Sequence, residues 1–253
     1  MLKRALLIAL CFIMLFSIPA NAQNQKVPIL LYHNIADNNN FTNMLLHITS
    51  ETFRAHMLAV KNAGYNTITY QDLKDAVIGL KELPENPIII SFDDGYESNY
   101  KYAYPVLKEL GMKATIFVVT GYVGNKWLQY PHFSWEEALE MEQSGVIDIE
   151  SHSHTHKDFS TLSKEESLYE IRMSKYLIEK NMGKKVTVFA YPYGFDNEYS
   201  QDLIKVAGYD IINYVGEKGS NSVDGGLDRL KRLTVAGNYT TERLLELIRQ
   251  NIY

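Results

Sequence analysis

The fold is decided by the stretch Ile88-Ile89-Ile90-Ser91-Phe92-Asp93-Asp94-Gly95. Its three consecutive β-branched residues, preceded by Pro87, predict a buried strand of a parallel sheet. Asp93 and Asp94 follow where this strand ends, and neighbouring carboxylates resist burial unless a cation or a hydrogen-bond donor compensates them. Taken alone, the pair is more typical of a solvated turn before Gly95. A second cluster is needed to decide between the two interpretations.

That second cluster is Ser151-His152-Ser153-His154-Thr155-His156, which also follows an apolar run, Val146-Ile147-Asp148-Ile149. Aspartate and histidine side chains together suit zinc or a similar divalent ion. Two histidines four residues apart project to the same side of the chain in an extended segment and in a helical turn alike. The two clusters together therefore favour a metal site over a solvated turn.

The composition is that of an ordinary globular protein. The 253 residues suffice for one large α/β domain with a substantial core. A hydrophobic fraction of 46% and a charged fraction of 22% place the chain among folded rather than disordered proteins. The formal net charge is −5 and no basic block is present, so the sequence predicts no nucleic-acid partner.

Residues 1–22 are predicted to be a signal peptide, and residues 23–253 a single folded domain. Two basic residues precede the apolar run 5–18, and Ala20-Asn21-Ala22 provides a small-x-small cleavage site. An uncleaved membrane anchor is disfavoured, because the run is short for a spanning helix. Cleavage would remove the single cysteine, Cys11, and leave no thiol for disulfides. An exported, acidic, disulfide-free domain indicates a bacterial protein that is secreted or held at the cell surface.

Strands and helices alternate along the rest of the chain, with no linker that would divide it. The predicted strands are 27–32, 66–69, 88–92, 115–119, 146–149, 186–190, 210–214 and 233–235. The predicted helices are 50–62, 70–79, 99–110, 134–143, 163–181, 198–206 and 241–252. Parallel strands joined by helices form either a barrel or a doubly wound sheet. Polar residues directly follow several of the strands, which is how barrel enzymes build their sites.

Two local signals refine these elements. Asp37-Asn38-Asn39-Asn40 has the turn chemistry of a loop. Pro105 falls inside the predicted 99–110 helix, where a proline either kinks a helix or delays its start.

Three motifs resemble those of the polysaccharide deacetylases, carbohydrate esterase family four. They are Ser91-Phe92-Asp93-Asp94-Gly95, His152-Ser153-His154-Thr155-His156 and Tyr191-Pro192-Tyr193-Gly194, and their order and spacing fit as well. The resemblance covers nearly the whole mature chain. It implies an α/β fold, namely a distorted, incomplete (β/α) barrel with parallel strands.

The resemblance also implies roles for individual residues. Asp94, His152 and His156 would bind one divalent metal ion, with zinc as the default although cobalt, nickel or iron suit the same ligands. A site with three protein ligands and an open position is typical of catalytic zinc. Asp93 matches the general base of the family, and the backbone N–H of Tyr193 matches a donor to the oxyanion.

The sequence departs from the broad family pattern in two places. No histidine follows His156, so the usual late Leu-x-His motif is absent, and Ala190 stands where the third motif usually carries an arginine. Arg232 is a candidate to orient Asp93 instead, but a solvated surface arginine is the favoured interpretation of that residue. His154 occupies the family's variable position and is predicted to lie outside the set of metal ligands.

His33 is the candidate for the missing acid. Leu31-Tyr32-His33-Asn34-Ile35 resembles the early Tyr-His motif of the poly-β-1,6-N-acetylglucosamine deacetylases, a branch in which that histidine is proposed as the general acid. Phe189-Ala190-Tyr191-Pro192-Tyr193-Gly194 resembles the same branch. The resemblance therefore implies that His33 protonates the leaving amine, and the alternative is a structural histidine at a strand end.

These observations predict a secreted, metal-dependent N-deacetylase acting on a polysaccharide rich in N-acetylglucosamine, the β-1,6-linked polymer in particular. Deacetylation of peptidoglycan or chitooligosaccharides and a non-catalytic glycan-binding relative are the alternatives. A glycoside hydrolase is disfavoured, because it needs two carboxylates that flank the scissile bond. Peripheral association with the cell surface is compatible with this function, and the sequence leaves the oligomeric state open. The aromatic candidates for lining a sugar groove are Tyr96, Trp127, Tyr130, Trp135 and Tyr193.

Overall fold

The computed structural model describes residues 25–36, 43–216 and 221–252 of the chain. The predicted signal peptide, residues 1–22, and the predicted loop at 37–40 lie outside the described residues. None of the described helices combines the length and the hydropathy that crossing a bilayer requires.

Strands and helices alternate through most of the described chain. The strands are Lys26–Val27 (β1), Ile29–Tyr32 (β2), Asn34–Ala36 (β3), His47–Thr49 (β4), Asn66–Thr67 (β5), Pro87–Phe92 (β6), Ala114–Val118 (β7), Ile147–Ser151 (β8), Val188–Ala190 (β9), Ile211–Gly216 (β10), Asn221–Ser222 (β11) and Leu230–Thr234 (β12). The α-helices are Ser50–Asn62 (α1), Tyr70–Val77 (α2), Tyr104–Leu110 (α3), Trp135–Gln143 (α4), Lys164–Met182 (α5), Ser200–Val206 (α6) and Thr241–Gln250 (α7).

Seven parallel strands close into a barrel. Their hydrogen-bonded order is β2-β12-β10-β9-β8-β7-β6, and β6 pairs again with β2 to complete the ring. β5 adds to the first residues of β6, whereas β1 with β11 and β3 with β4 form separate two-stranded sheets. The predicted distorted, incomplete (β/α) barrel is confirmed, because seven strands make the ring that an ordinary (β/α) barrel makes with eight.

Most barrel strands differ from the sequence prediction by one or two residues at an end, and two of the differences have a clear physical reason. Proline cannot donate a hydrogen bond to a strand ladder, and Pro28 separates β1 from β2 within the predicted strand at 27–32. The last barrel strand begins at Leu230, whereas the sequence predicted a start at residue 233. The prediction missed the first three residues because Lys231 and Arg232 are charged and interrupt the apolar run. This second difference changes the interpretation of the site.

Pro105 does not delay the helix that contains it. The backbone is helical from residue 97, and a π-helical turn, Asn99–Ala103, leads without a break into α3, with the N–H of Tyr104 donating to the carbonyl of Asn99. Because proline has no N–H and interrupts the regular helical ladder, the π-helical turn directly before Pro105 is the local departure that accompanies it.

Side chains of the barrel strands alternate between the interior of the ring and the layer beneath the helices. In β6, Ile88, Ile90 and Phe92 belong to the large outer hydrophobic cluster, whereas Ile89 belongs to the interior cluster. Asp93 lies four residues after Ile89 and therefore falls on the interior side of the rim.

Helix α2 closes the amino end of the barrel. Tyr70 and Leu73 belong to the interior cluster, and the ring of Tyr70 packs edge-on against Phe117 with their centroids 5.7 Å apart. The Nζ of Lys74 lies 2.7 Å from Oδ2 of Asp210, the residue that directly precedes β10, so the helix contacts the end at which the strands begin. The carboxyl end of the barrel is thus the end at which a site can form.

Candidate active site

The predicted site residues gather at the carboxyl end of the barrel. Asp93 and Asp94 follow β6, His152 follows β8, and Tyr193 lies in the turn after β9. His33 occupies the single position between β2 and β3. All parallel strands end on the same rim, so residues far apart in sequence meet there.

The structure brings Asp94, His152 and His156 together as a group of potential metal ligands. Their ligand atoms all lie within 4.8 Å of one another, and no other His, Cys, Asp or Glu group in the described part of the chain comes this close. The Nε2 atoms of His156 and His152 lie 3.3 Å and 3.7 Å from the same Oδ1 of Asp94. Ligand atoms around a tetrahedral zinc ion stand about 3.4 Å apart, so the three residues fit a divalent ion.

Hydrogen bonding and burial prepare these side chains to bind a cation. His152 Nδ1 lies 2.8 Å from the carbonyl oxygen of Ala190, which can only accept, so Nδ1 carries the proton and Nε2 keeps its lone pair. Burial lowers the pKa of His152 to about 4, so its ring is neutral at pH 7. Burial alone would raise the pKa of Asp94, but the hydrogen bond from His156 and the charge of His33 hold that pKa well below its usual range.

Arg232 holds the carboxylate of Asp93 in a two-point ion pair. Nη1 donates to Oδ1 at 2.5 Å and Nη2 donates to Oδ2 at 2.8 Å. Arg232 is 0% exposed and Asp93 is 2% exposed, so the interpretation of Arg232 as a solvated surface residue is wrong. Burial alone would raise the pKa of Asp93, but the charge of Arg232 brings that pKa below its usual value. Asp93 is therefore an ionised carboxylate that is able to accept a proton.

The position of Arg232 follows from the bounds of β12. Arg232 lies two residues after Leu230, which belongs to the interior cluster, so both side chains face the inside of the ring. The guanidinium lies over the ring of Phe117, 5.1 Å from its centroid. A strand placed at Leu230–Thr234 would have predicted an interior arginine, and an interior arginine requires a carboxylate partner.

His33 lies beside the two aspartates but outside the group of metal ligands. It is half-buried, and the Nδ2 of Asn99 donates to its backbone oxygen at 2.8 Å. Its charge lowers the pKa of both Asp93 and Asp94. Its Nδ1 is buried and has no hydrogen-bond partner among the described residues. This placement is compatible with a proton donor, and the role of His33 stays a prediction.

Glu170, on helix α5, holds the loop that carries the two histidine ligands. Its Oε2 accepts the backbone N–H groups of His154 at 2.9 Å and Thr155 at 2.7 Å, and its Oε1 accepts the hydroxyl of Thr155 at 2.5 Å. Glu170 is only 1% exposed. The sequence analysis missed this residue, because a glutamate in an amphipathic helix carries no signal that distinguishes a buried clamp from a solvated side chain.

The backbone of this loop is strained. Ser153 and His156 have φ angles of 65° and 59°, in the left-handed region that is unfavourable for residues other than glycine. The hydroxyl of Ser153 accepts the N–H of His156 at 3.1 Å. His154 lies outside the ligand group, with its Nδ1 2.9 Å from the hydroxyl of Thr120. The bonds from Glu170 and Ser153 therefore help to keep the ligands in an otherwise unfavourable conformation.

The aromatic candidates differ in their relation to the site. Tyr193 is 58% exposed, and its ring centroid lies 4.7 Å from that of His156. Trp127 is 96% exposed and does not line the cavity beside the site. Trp135 packs against the outer hydrophobic cluster at the start of α4 and is not among the residues that line this cavity.

Tyr96 and Tyr130 line a cavity of about 220 Å³ beside the candidate metal centre. Asp94 and His156 border the same cavity. The rings of the two tyrosines meet edge to face with their centroids 5.9 Å apart. The site thus combines ligands for a cation, an oriented carboxylate and aromatic walls.

Comparison with protein families and curated proteins places these residues in a known context. The family model described as polysaccharide deacetylase matches residues 80–212. The Bacillus subtilis protein YxkH is 36% identical over 211 residues, which are 83% of this chain and 72% of that protein. A poly-β-1,6-N-acetyl-D-glucosamine N-deacetylase of Staphylococcus aureus is 32% identical over 139 residues, which are 50% of this chain and 47% of that enzyme.

Solved structures share the fold. BC0361, a polysaccharide deacetylase from Bacillus cereus, superposes with a TM-score of 0.78 at 27% identity, covering 89% of this chain and 69% of that chain. The Streptococcus pyogenes deacetylase PplD, solved in complex with acetate, superposes with a TM-score of 0.80 at 24% identity, covering 89% of this chain and 99% of that chain. The seven-stranded ring and its helices are therefore an established architecture.

Proposed function

The chain belongs to the polysaccharide deacetylase family, and from this premise we propose that it is a secreted, metal-dependent N-deacetylase of poly-β-1,6-N-acetylglucosamine. The observation that carries the proposal is the meeting of an arginine-held carboxylate, Asp93, with the ligand group Asp94, His152 and His156. Secretion, or retention at the cell surface, rests on the predicted signal peptide at residues 1–22.

The ligand group suits zinc, and cobalt, nickel or iron suit the same side chains. A divalent ion held by Asp94, His152 and His156 would polarise the acetamide carbonyl and acidify a water molecule. The neutral ring of His152 and the ionised carboxylate of Asp94 are the protonation states that metal binding requires.

Asp93 is proposed to take the proton from the attacking water. The two hydrogen bonds from Arg232 fix the plane of the carboxylate and keep it ionised within a buried site. Asp93 Oδ2 lies 3.5 Å from Nε2 of His152, so the base sits directly beside the ligand group. Arg232 thereby fulfils the orienting role that the arginine at the position of Ala190 fulfils in the broad family.

His33 and Tyr193 are proposed to complete the reaction. When the C–N bond breaks, the sugar nitrogen leaves as an amine and needs a proton, and we propose that His33 supplies it. The backbone N–H of Tyr193 would donate to the oxyanion that forms at the carbonyl carbon, an interaction typically worth about 3 kcal/mol. Tyr193 adopts the left-handed region with φ of 60°, so this turn is held in a specific conformation.

Two observations favour the β-1,6-linked substrate over peptidoglycan or chitooligosaccharides. The S. aureus relative is named for that substrate, although the chain spans only 47% of its length. His33 also follows β2 directly, where the sequence motif of that branch places its acid, and no histidine follows His156 in the chain.

Acetate release tests the proposal. The purified protein is assayed with β-1,6-linked N-acetylglucosamine oligomers, chitooligosaccharides and peptidoglycan, each with and without a chelator. We expect the fastest release from the β-1,6-linked oligomers, nearly complete loss with the chelator, and recovery when zinc or cobalt is added back. Binding of the oligomers without any acetate release would support the non-catalytic alternative and contradict the proposal. Recovery of the processed chain from the medium or the cell surface tests its location.

Replacing Glu170 by alanine should weaken metal binding by about 10- to 100-fold, the usual cost of removing a group that orients metal ligands. The change frees the N–H groups of His154 and Thr155 and relaxes the strained loop. Competition with a chromogenic chelator measures the affinity. The matched control is Glu165→Ala, an exposed residue in the first turn of the same helix, which should leave the affinity unchanged. A lower unfolding temperature with unaltered metal affinity would show that Glu170 has a structural role only.

A further inference from the structure

The cavity beside the candidate metal centre contains a buried histidine that the proposed reaction does not use. The cavity measures about 220 Å³, and beyond Asp94 and His156 its lining consists of Tyr96, Tyr122, Leu128, Gln129, Tyr130 and His132. Since two of its residues are also metal-ligand candidates, a molecule bound in the cavity lies next to the reacting acetamide.

His132 is the unexplained member of this lining. It is 4% exposed, and neither Nδ1 nor Nε2 makes a hydrogen bond of normal distance and angle among the described residues, although the backbone of Tyr130 is near enough to oppose the lowering of its pKa by burial. Buried polar groups are nearly always hydrogen-bonded, and leaving one unpaired destabilises the folded state. A phenylalanine of similar shape would avoid this cost, so the imidazole is better explained by a ligand than by packing.

Backbone hydrogen bonds fix the segment that carries this ring. The N–H of His132 donates to the carbonyl of Asn125 at 3.0 Å, and the N–H of Phe133 donates to the carbonyl of Gly95 at 3.3 Å. An antiparallel bridge also joins His132 to Tyr96. These bonds therefore fix the position of the backbone from which the imidazole projects.

The walls around His132 suit a sugar ring. Its ring centroid lies 5.0 Å from that of Tyr96 and 5.3 Å from that of Tyr122. Aromatic faces cover the C–H surfaces of a bound molecule, while a few polar atoms fix its orientation. The amide of Gln129 adds a second polar group to the lining. An acetamide alone does not need such walls, whereas the pyranose that carries it does.

We propose that His132 determines specificity by exchanging a hydrogen bond with a ring hydroxyl of the sugar whose acetamide is hydrolysed. A neutral imidazole offers one donor and one acceptor, which matches a hydroxyl group. In a β-1,6-linked chain the free ring hydroxyls are those on C3 and C4, because C2 carries the acetamide and C6 the linkage. This inference rests on the proposed function, since it takes the glycan as the substrate.

The test compares the wild type with His132→Phe and His132→Gln on three β-1,6-linked N-acetylglucosamine trimers, namely intact, 3-deoxy and 4-deoxy. Phenylalanine keeps the ring and removes both nitrogens, whereas glutamine keeps a donor and an acceptor. We expect His132→Phe to lower kcat/KM on the intact trimer by about 5- to 150-fold, as for one buried hydrogen bond left unmade. His132→Gln should recover part of the loss.

The deoxy trimers identify the hydroxyl. The wild type should discriminate against one of them by a factor similar to that of His132→Phe, and His132→Phe should lose this discrimination. Metal content should be unchanged, and the unfolding temperature of His132→Phe should equal or exceed that of the wild type, because an unpaired buried polar group has been removed. Retained discrimination in His132→Phe, or an equal loss on all three trimers, would overturn the proposal.

A failure of the proposed function gives a different result. If the wild type releases no acetate from any trimer, the deacetylase proposal for this glycan falls. The contact made by His132 is then measured by calorimetry with the glucosamine trimer, which carries no acetyl group. Weaker binding by His132→Phe than by the wild type would support the contact, and equal binding would overturn it.

Discussion

Replacing Arg232 by methionine is expected to abolish most acetate release and to lower the free energy of unfolding by about 3–5 kcal/mol. The change leaves the carboxylate of Asp93 buried without its cation. An uncompensated buried carboxylate takes up a proton, and a protonated Asp93 cannot accept one from water. The loss in kcat should therefore reach about 10²- to 10⁴-fold, the usual contribution of a general base. Acetate release measures kcat, and urea titration measures stability.

Further variants separate the catalytic effect from the effect on stability. Arg232→Met combined with Asp93→Asn removes both charges and should recover much of the stability but none of the turnover. Arg232→Lys keeps the charge without the two-point geometry. Its kcat and its stability should lie between those of the wild type and those of Arg232→Met. Arg229→Met changes a nearby arginine whose side chain is 67% exposed, and it should alter stability by less than about 0.5 kcal/mol. Near-normal kcat in Arg232→Met would refute the orienting role.

Replacing His33 by alanine should lower kcat by about 10²- to 10⁴-fold, the usual contribution of a general acid, while the bound metal is retained. His33 is not in the ligand group, and the bond from Asn99 goes to its backbone oxygen, which alanine keeps. His33→Gln should lower kcat by the same factor, because an amide forms hydrogen bonds but does not supply a proton at neutral pH. Metal content is measured by atomic absorption alongside acetate release.

A substrate that needs no acid distinguishes proton donation from other roles of His33. An aryl acetate releases a phenolate that leaves without prior protonation, so His33→Ala should impair its hydrolysis far less than that of the glycan. The comparison is made on the same metal-loaded preparations. Equal losses on both substrates would mean that His33 shapes the site without protonating the amine.

Local sequence signals sufficed for most of the fold. The run Ile88-Ile89-Ile90, bounded by proline and the aspartates, identifies a buried strand from its residue types alone. Ser163 and Glu166 form the capping box that starts α5, with the hydroxyl of Ser163 accepting the N–H of Glu166 at 3.2 Å. Because such signals mark where elements begin and end, the alternation of strands and helices was predictable.

The residues that the sequence analysis missed, or in the case of Arg232 assigned to the surface, are defined by distant partners. Arg232 and Asp93 are separated by 139 positions, and nothing near Arg232 in the sequence indicates a carboxylate. Glu170 acts on a loop from the next helix, and His132 lies in an irregular segment without periodicity. Strand ends carrying aspartates and histidines predicted which residues meet at the rim, but only the closed ring decides which buried charges become partners.

The ring closes between its first and last strands. Leu30 pairs with Leu233 and Leu31 pairs with Thr234, about 200 positions further along the chain, and contacts this remote in sequence are slow to form during folding. The same final strand carries Arg232. Asp93 thus acquires its counter-ion from the strand that completes the ring, so that closing the fold and orienting the proposed base depend on the same strand. A chain that ended before residue 230 would hold the candidate cation ligands without the arginine that orients Asp93.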